Sequence, residues 1–119
     1  MAPHKSRGAS AALHNELKRG SAELLILALL EERRRHGYEI GQLIAQRSDG
    51  TINFHVTSLY PTLYRLEDRG WIASKPALSP EGRRIKLYRL TAVGRRQLSH
   101  EIDAWRHFAR AIDHVVAAT

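Results

Sequence analysis

The 119-residue chain contains no cysteine, which excludes disulfides and thiolate chemistry and suits a reducing compartment. Aromatic residues make up only 7% of it. Its longest apolar run, Leu24 to Leu30, falls far short of the roughly 20 residues a bilayer-spanning helix needs. The basic residues near the N-terminus have no apolar stretch behind them, so no secretory signal is visible. A cytoplasmic protein without a membrane partner is the expectation. There is no Gly-rich phosphate loop, no cluster of carboxylates and no His-Glu-x-x-His, which argues against an enzyme and against a cofactor. His100, His107 and His114 recur every seven residues, but consecutive members of a helix so spaced stand roughly 10 Å apart, too far to share one metal ion. A solvated helix face is the simpler reading, although His100, Asp103 and His107 could meet across a dimer as a weak Zn²⁺ site. No internal repeat or low-complexity tract is present.

What the chain does have is a modest apolar content of 43%, enough for one helix-rich domain. It also has an uneven positive charge. Lys and Arg number 19 against 12 acids, a formal net charge of +7. Residues 57–96 hold nine of those bases and three acids, and residues 1–20 hold four bases and one acid. Positive charge concentrated on two segments is an electrostatic footprint for a polyanion, although a solvated basic surface is the plainer alternative.

Residues 1–12 are small, polar and basic, and are expected to form a flexible tail that could reach along a nucleic-acid backbone. A short helix over Leu13 to Arg19 should end at Gly20. Ser21 looks like the next N-cap, with a helix from Ala22 to about Arg35 that is apolar on nearly every side and so must be buried on more than one face. Arg33, Arg34 and Arg35 would complement the negative end of its dipole. His36-Gly37 breaks that helix. A second, with Ile40, Leu43 and Ile44 inward, runs to the turn cluster Ser48-Asp49-Gly50.

The most informative stretch follows, from Thr57 to Ile72. Thr57 and Ser58 read as caps, and Pro61 reads as a first-turn residue whose missing N–H would be unpaired anyway. Leu59, Leu63 and Leu66 recur at i, i+4 and i+7, and Gly70 stops the helix. The outward face keeps Thr57, Tyr60, Pro61, Tyr64, Arg65 and Arg69, a mixture of rings, hydroxyls and guanidinium groups suited to a DNA major groove. For Tyr60 and Tyr64, packing against neighbouring helices is the competing reading.

Beyond Gly70 the period changes. Trp71–Lys75 and Ile85–Leu90 predict a two-stranded hairpin with a loop of about nine residues, carrying Lys75, Arg83, Arg84 and Lys86 at or near its tip. Thr91 should cap a last helix of roughly 25 residues. Within it Leu98, Ile102, Trp105, Ala109, Ile112 and Val116 are spaced 4, 3, 4, 3, 4, a heptad seam that Phe108 and Val115 widen. The expectation is a homodimer packed through this seam. A helix folded back on its own domain is the alternative.

The Thr57–Ile72 stretch resembles the PadR family of winged helix-turn-helix transcriptional regulators. So do Leu24–Leu30, His36-Gly37-Tyr38-Glu39-Ile40, and Gly82 to Gly94, in the family's order over roughly residues 17 to 105. The implied fold is mainly α. It has a winged helix-turn-helix domain over 13–91, made of a three-helix core with a two-stranded β wing, and a C-terminal dimerisation helix over 92–119. The chain ends soon after that helix, which suggests a short member of the family. Family wings commonly read Gly-Arg-Pro-Arg-Lys-Tyr-Tyr. Here Arg84 takes the proline position, Ile85 the second arginine and Leu87 the first tyrosine, so a more flexible wing loop is expected.

The resemblance implies a repressor that binds double-stranded DNA at an inverted repeat, through Thr57, Ser58, Tyr60, Pro61, Tyr64 and Arg65 at the major groove. Arg65 is the best candidate for a guanine edge, and Lys75, Arg83, Arg84 and Lys86 for phosphates. In some short members a tryptophan on the last helix lines an effector pocket at the dimer interface. Trp105 occupies the corresponding helix, so a small aromatic effector is implied there, against a plain packing role. The other reading is a winged-helix scaffold whose basic residues meet an acidic protein rather than a specific duplex.

Overall fold

Isoleucine and leucine follow one another so closely in the first helix that it has no polar face, and the domain closes around it. The computed structural model describes residues 21–117. The tail expected over 1–12 and the short helix over 13–19 lie outside the described residues. Residues 21–32 are helical (α1), followed by β1 (Arg35–His36), α2 (Gly37–Arg47), α3 (Val56–Asp68), β2 (Ile72–Leu78), β3 (Arg84–Leu90) and α4 (Ala92–Ala117). Every side chain from Ala22 to Leu30 is at least half-buried. Ile26, Leu27 and Leu30 meet Ile40 and Ile44 of α2, Leu59, Leu63 and Leu66 of α3, Ile72, Tyr88 and Leu90 of the sheet, and Leu98 of α4.

Two expectations about α1 are corrected. Ser21 is itself helical rather than the flanking cap, and the helix ends at residue 32, three residues early. The cause is Arg35. Its side chain is 5% exposed, its Nε donates to the Leu29 carbonyl at 3.0 Å, and its two terminal nitrogens bind Glu32 and Glu39 at 2.6 and 2.8 Å. The guanidinium thus satisfies a carbonyl that the helix end leaves orphaned, and it does so from an extended backbone. Arg33 pairs with Glu39, and Arg47 grips Glu32 with both nitrogens at 2.8 and 3.0 Å.

That extended piece makes the sheet three-stranded, in the order β1-β3-β2, where the sequence suggests two strands. Arg35 faces Tyr88 and His36 faces Leu87. The hairpin pairs without interruption from Ile72↔Leu90 to Leu78↔Arg84, so the wing tip is residues 79–83 rather than nine residues. Pro76 is tolerated inside β2 because this is an edge strand. At the tip Gly82 N–H donates to Ser79 O at 2.9 Å, with Gly82 at φ +81°, and Ser79 N–H donates to Arg83 O at 2.8 Å.

α3 ends as its glycine demands. Gly70 has φ +76°, its N–H donates to Glu67 O, and Trp71 N–H donates to Leu66 O, the paired bonds of a Schellman motif. Thr91 then caps α4, accepting from Gly94 N–H at 3.0 Å while its own hydroxyl lies 2.6 Å from Gly70 O and 2.9 Å from Trp71 O. Among the described residues no helix is long and apolar enough to cross a membrane.

Candidate nucleic-acid interface

The start of α3 differs from the expected one. The N-cap is His55, whose Nδ1 accepts from Thr57 N–H at 3.3 Å. Thr57 and Ser58 therefore lie in the first turn, and Pro61 lies in the second, inside the helix. Without an N–H, Pro61 cannot bond the Thr57 carbonyl. Thr62, the next residue, adds its hydroxyl to the Ser58 carbonyl at 3.0 Å. Leu59, Thr62, Leu63 and Leu66 are buried. Thr57, Ser58, Pro61, Tyr64 and Arg65 are exposed and share one outward surface.

The tyrosines divide. Tyr60 is half-buried, with its ring so close to Gly37 that a Cβ there would stand 2.8 Å from Cε1. Tyr64 is 49% exposed, 6.4 Å from Tyr60 between ring centroids. The Lys86 ammonium sits over the Tyr64 ring at 5.5 Å, a cation–π contact that ties the wing to α3. Arg65 is held loosely, donating to Thr62 Oγ1 at 3.2 Å, and its remaining donors face solvent. Arg69, exposed as expected, is occupied within the domain: it pairs with Glu23 at 3.1 Å and lies over the Trp71 ring at 5.0 Å.

The wing bases also divide, because strand residues alternate between faces. Arg84 and Lys86 share the face of buried Tyr88 and Leu90, toward α3, and Arg83 stands at the tip. Lys75 pairs with Leu87 and falls on the opposite face of the hairpin. The first group and the tyrosines border an open groove of about 860 Å³ whose third wall is the start of α2, with His36, Gly37, Tyr38 and Gln42. Sequence reasoning missed that wall. Tyr38 is 59% exposed and stacks on His36, features that only the fold reveals.

On α4, Leu98 is buried in the domain core and Ile102 packs against it. Beyond them Trp105, Phe108, Ile112, Val115 and Val116 are exposed, Trp105 at 46%, and the Trp105 and Phe108 rings are 6.2 Å apart. Ala109 is half-buried. The second half of α4 is therefore not folded back on the described domain.

Three core helices and a paired wing, the third helix with its leucines inward and its polar face outward, define a winged helix-turn-helix protein of the gene-regulatory class. The chain belongs to the PadR-like family of transcriptional regulators, whose family model matches residues 26–100. It is 36% identical over 84 residues to a transcriptional regulator of Mycobacterium tuberculosis, a match that covers 71% of this chain and 64% of that protein. An uncharacterised protein of Lysinibacillus sphaericus is 31% identical over 101 residues, or 85% of this chain and 93% of that one. The crystal structure of a PadR family transcriptional regulator from Eggerthella lenta superposes with a TM-score of 0.79 at 25% identity, covering 97% of this chain and 98% of the other.

Proposed function

We propose that this regulator binds double-stranded DNA as a homodimer, reading an inverted repeat with α3 and gripping flanking phosphates with the wing. The observation that carries the reading is the exposed face of Thr57, Ser58, Pro61, Tyr64 and Arg65 with Arg83, Arg84 and Lys86 beside it. Side-chain hydroxyls and a guanidinium on a free helix face suit base edges, and the wing cations suit the backbone. Tyr60, half-buried against α2, takes a positioning part and lines the groove. Lys75, on the far side of the hairpin, would meet only a backbone that wraps the wing.

The dimer is supported by the apolar stripe from Trp105 to Val116, which no monomeric protein of this size gains by exposing. In this arrangement Leu98 and Ile102 root the helix in its own domain, and Trp105, Ala109, Ile112 and Val116 meet the second copy. Repression follows from occupying a promoter. Release by a small aromatic molecule stacking on Trp105 at the interface is the effector reading. Two-fold symmetry places half-sites about 10 base pairs apart, or a multiple of that.

A footprint of the purified protein on the DNA upstream of its own reading frame tests this. The expected result is a protected inverted repeat that survives excess random duplex and weakens steeply with salt. Weak binding with no preferred site would instead favour a protein-binding scaffold.

A further inference from the structure

The floor of the groove between α2, α3 and β3 holds a polar group that the protein leaves unused. Tyr88 is 1% exposed, yet among the described residues its hydroxyl makes no hydrogen bond. Among those residues, no polar side-chain atom is both sealed from solvent and unpaired. The hydroxyl must therefore reach solvent, and the opening available to it is the groove that Tyr88 lines together with Tyr60 and Tyr64. Burial, then Glu67, Tyr64 and Tyr60, push its phenol up to about 12. It stays protonated, and therefore a donor, at every ordinary pH.

Other donors converge there. The first-turn amides of α2 have no helical carbonyl to bond, and that of Glu39 is taken by His36 Nδ1 at 3.3 Å. Gly37 N–H falls in the β1–β3 ladder opposite Lys86, so the amide of Tyr38 remains. Accepting with Nδ1 puts the proton of a neutral His36 on Nε2, which adds a donor at the groove wall. Lys86 and Arg84 supply positive charge from β3. Glu81 is the one acid among the groove-lining residues, and it stands at the wing tip. A first-turn amide, the imidazole N–H, a buried phenol and an ammonium from a facing strand together match a tetrahedral oxyanion.

We propose that this groove seats one backbone phosphate of the bound duplex, held between the α2 first turn, Tyr88 and Lys86. The proposal rests on the DNA-binding reading and adds to it a third contact element beside α3 and the wing. A phosphodiester is favoured over a free anion because the groove runs directly into the exposed face of α3 and the wing cations, where a duplex would lie.

The test uses the footprinted duplex with single methylphosphonates, each neutralising one phosphate, and compares the full-length protein with Tyr88→Phe and His36→Ala. One position per half-site should cost the unaltered protein about tenfold in affinity and cost Tyr88→Phe severalfold less, since the bond to the phenol can be removed only once while those to Lys86 and α2 remain. Thermal melting of Tyr88→Phe should match the parent. If that variant misfolds, the same non-additivity should appear with His36→Ala or Lys86→Met. If duplex binding is intact and no methylphosphonate position couples to any of the three, the phosphate seat is wrong and the DNA reading stands. If the unaltered protein prefers no duplex at all, both fall. Inorganic phosphate is the control arm: saturable micromolar binding that displaces duplex would assign the groove to a free anion instead.

Discussion

Gly94 in the first turn of α4 lies directly against the Trp71 carbonyl: a Cβ at this position would stand 1.9 Å from that oxygen. The same carbonyl accepts from Thr91 N–H at 3.1 Å and lies 2.9 Å from the Thr91 hydroxyl, so it cannot move aside. Gly94→Ala should lower stability by about 2–4 kcal/mol through forced separation of α4 from the α3–β2 corner. Gly82→Ala, strained in φ but facing open space, should cost only about 1 kcal/mol. Chemical denaturation of the two variants side by side checks the contrast.

Arg35 holds the end of α1 through three separate acceptors. Arg35→Ala should therefore destabilise by about 3 kcal/mol, because two carboxylates and a helix-end carbonyl would be left without their common partner. Arg33→Ala, an exposed neighbour, should change stability by less than about 0.5 kcal/mol. Urea midpoints would separate the two.

Acid sensitivity should trace to Glu32. The Arg47 hydrogen bond, and after it the nearby Arg47 and Arg35 charges, hold its carboxyl at about 2, against an ordinary 4.5. A carboxylate whose folded value is depressed stabilises the fold at pH above about 4.5 and loses that contribution as pH falls toward about 2. Melting temperature should decline across this window, and Glu32→Gln should flatten the decline while lowering the plateau near pH 7.

On DNA, Arg65 and Arg84 should fail differently. Arg65→Ala should relax base choice at one position per half-site, at a cost of about 1–3 kcal/mol for the preferred site. Arg84→Ala should weaken every duplex alike and reduce the salt slope by about 0.9 for each phosphate left without its cation. Competition binding at several salt concentrations reads both effects, and uniform weakening in both variants would overturn the groove assignment.

Ile112→Asp places a charge in the exposed stripe of α4, where a monomer would tolerate it. Sedimentation should show dissociation at concentrations where the parent is paired, with the dimer constant weakened on the order of a hundredfold. Unchanged melting of the monomeric domain, together with weaker operator binding, would complete the result.

Much of the fold is readable from residue order. Leu59, Leu63 and Leu66 declare α3 because helical spacing is local. Gly70 declares its end because the left-handed residue of a Schellman turn favours glycine. Thr91 declares the start of α4 in the same way. Longer-range features do not show. β1 is two residues long, too short to display a period, and exists only because Leu87 and Tyr88 pair with it from fifty residues away. Arg35 sits in a triple-arginine run that looks like a solvated helix end, yet its burial depends on Glu32 and Glu39 closing around it. Pro76 suggests a loop, but an unpaired edge accepts it. His55 rather than Thr57 caps α3 because the choice between adjacent polar residues is made by how the incoming chain is held. The groove itself joins His36, Tyr60 and Tyr88, which no spacing rule links.

The Thr91 hydroxyl, within 3 Å of the Gly70 and Trp71 carbonyls, fastens the base of one rod to the tail of another. In the proposed dimer, this joint would make the angle at which two copies meet dictate how far apart their reading faces sit. Target spacing would then be a mechanical property of this junction: lengthening it by a single residue would swing each arm around its base and redirect the protein to differently separated half-sites.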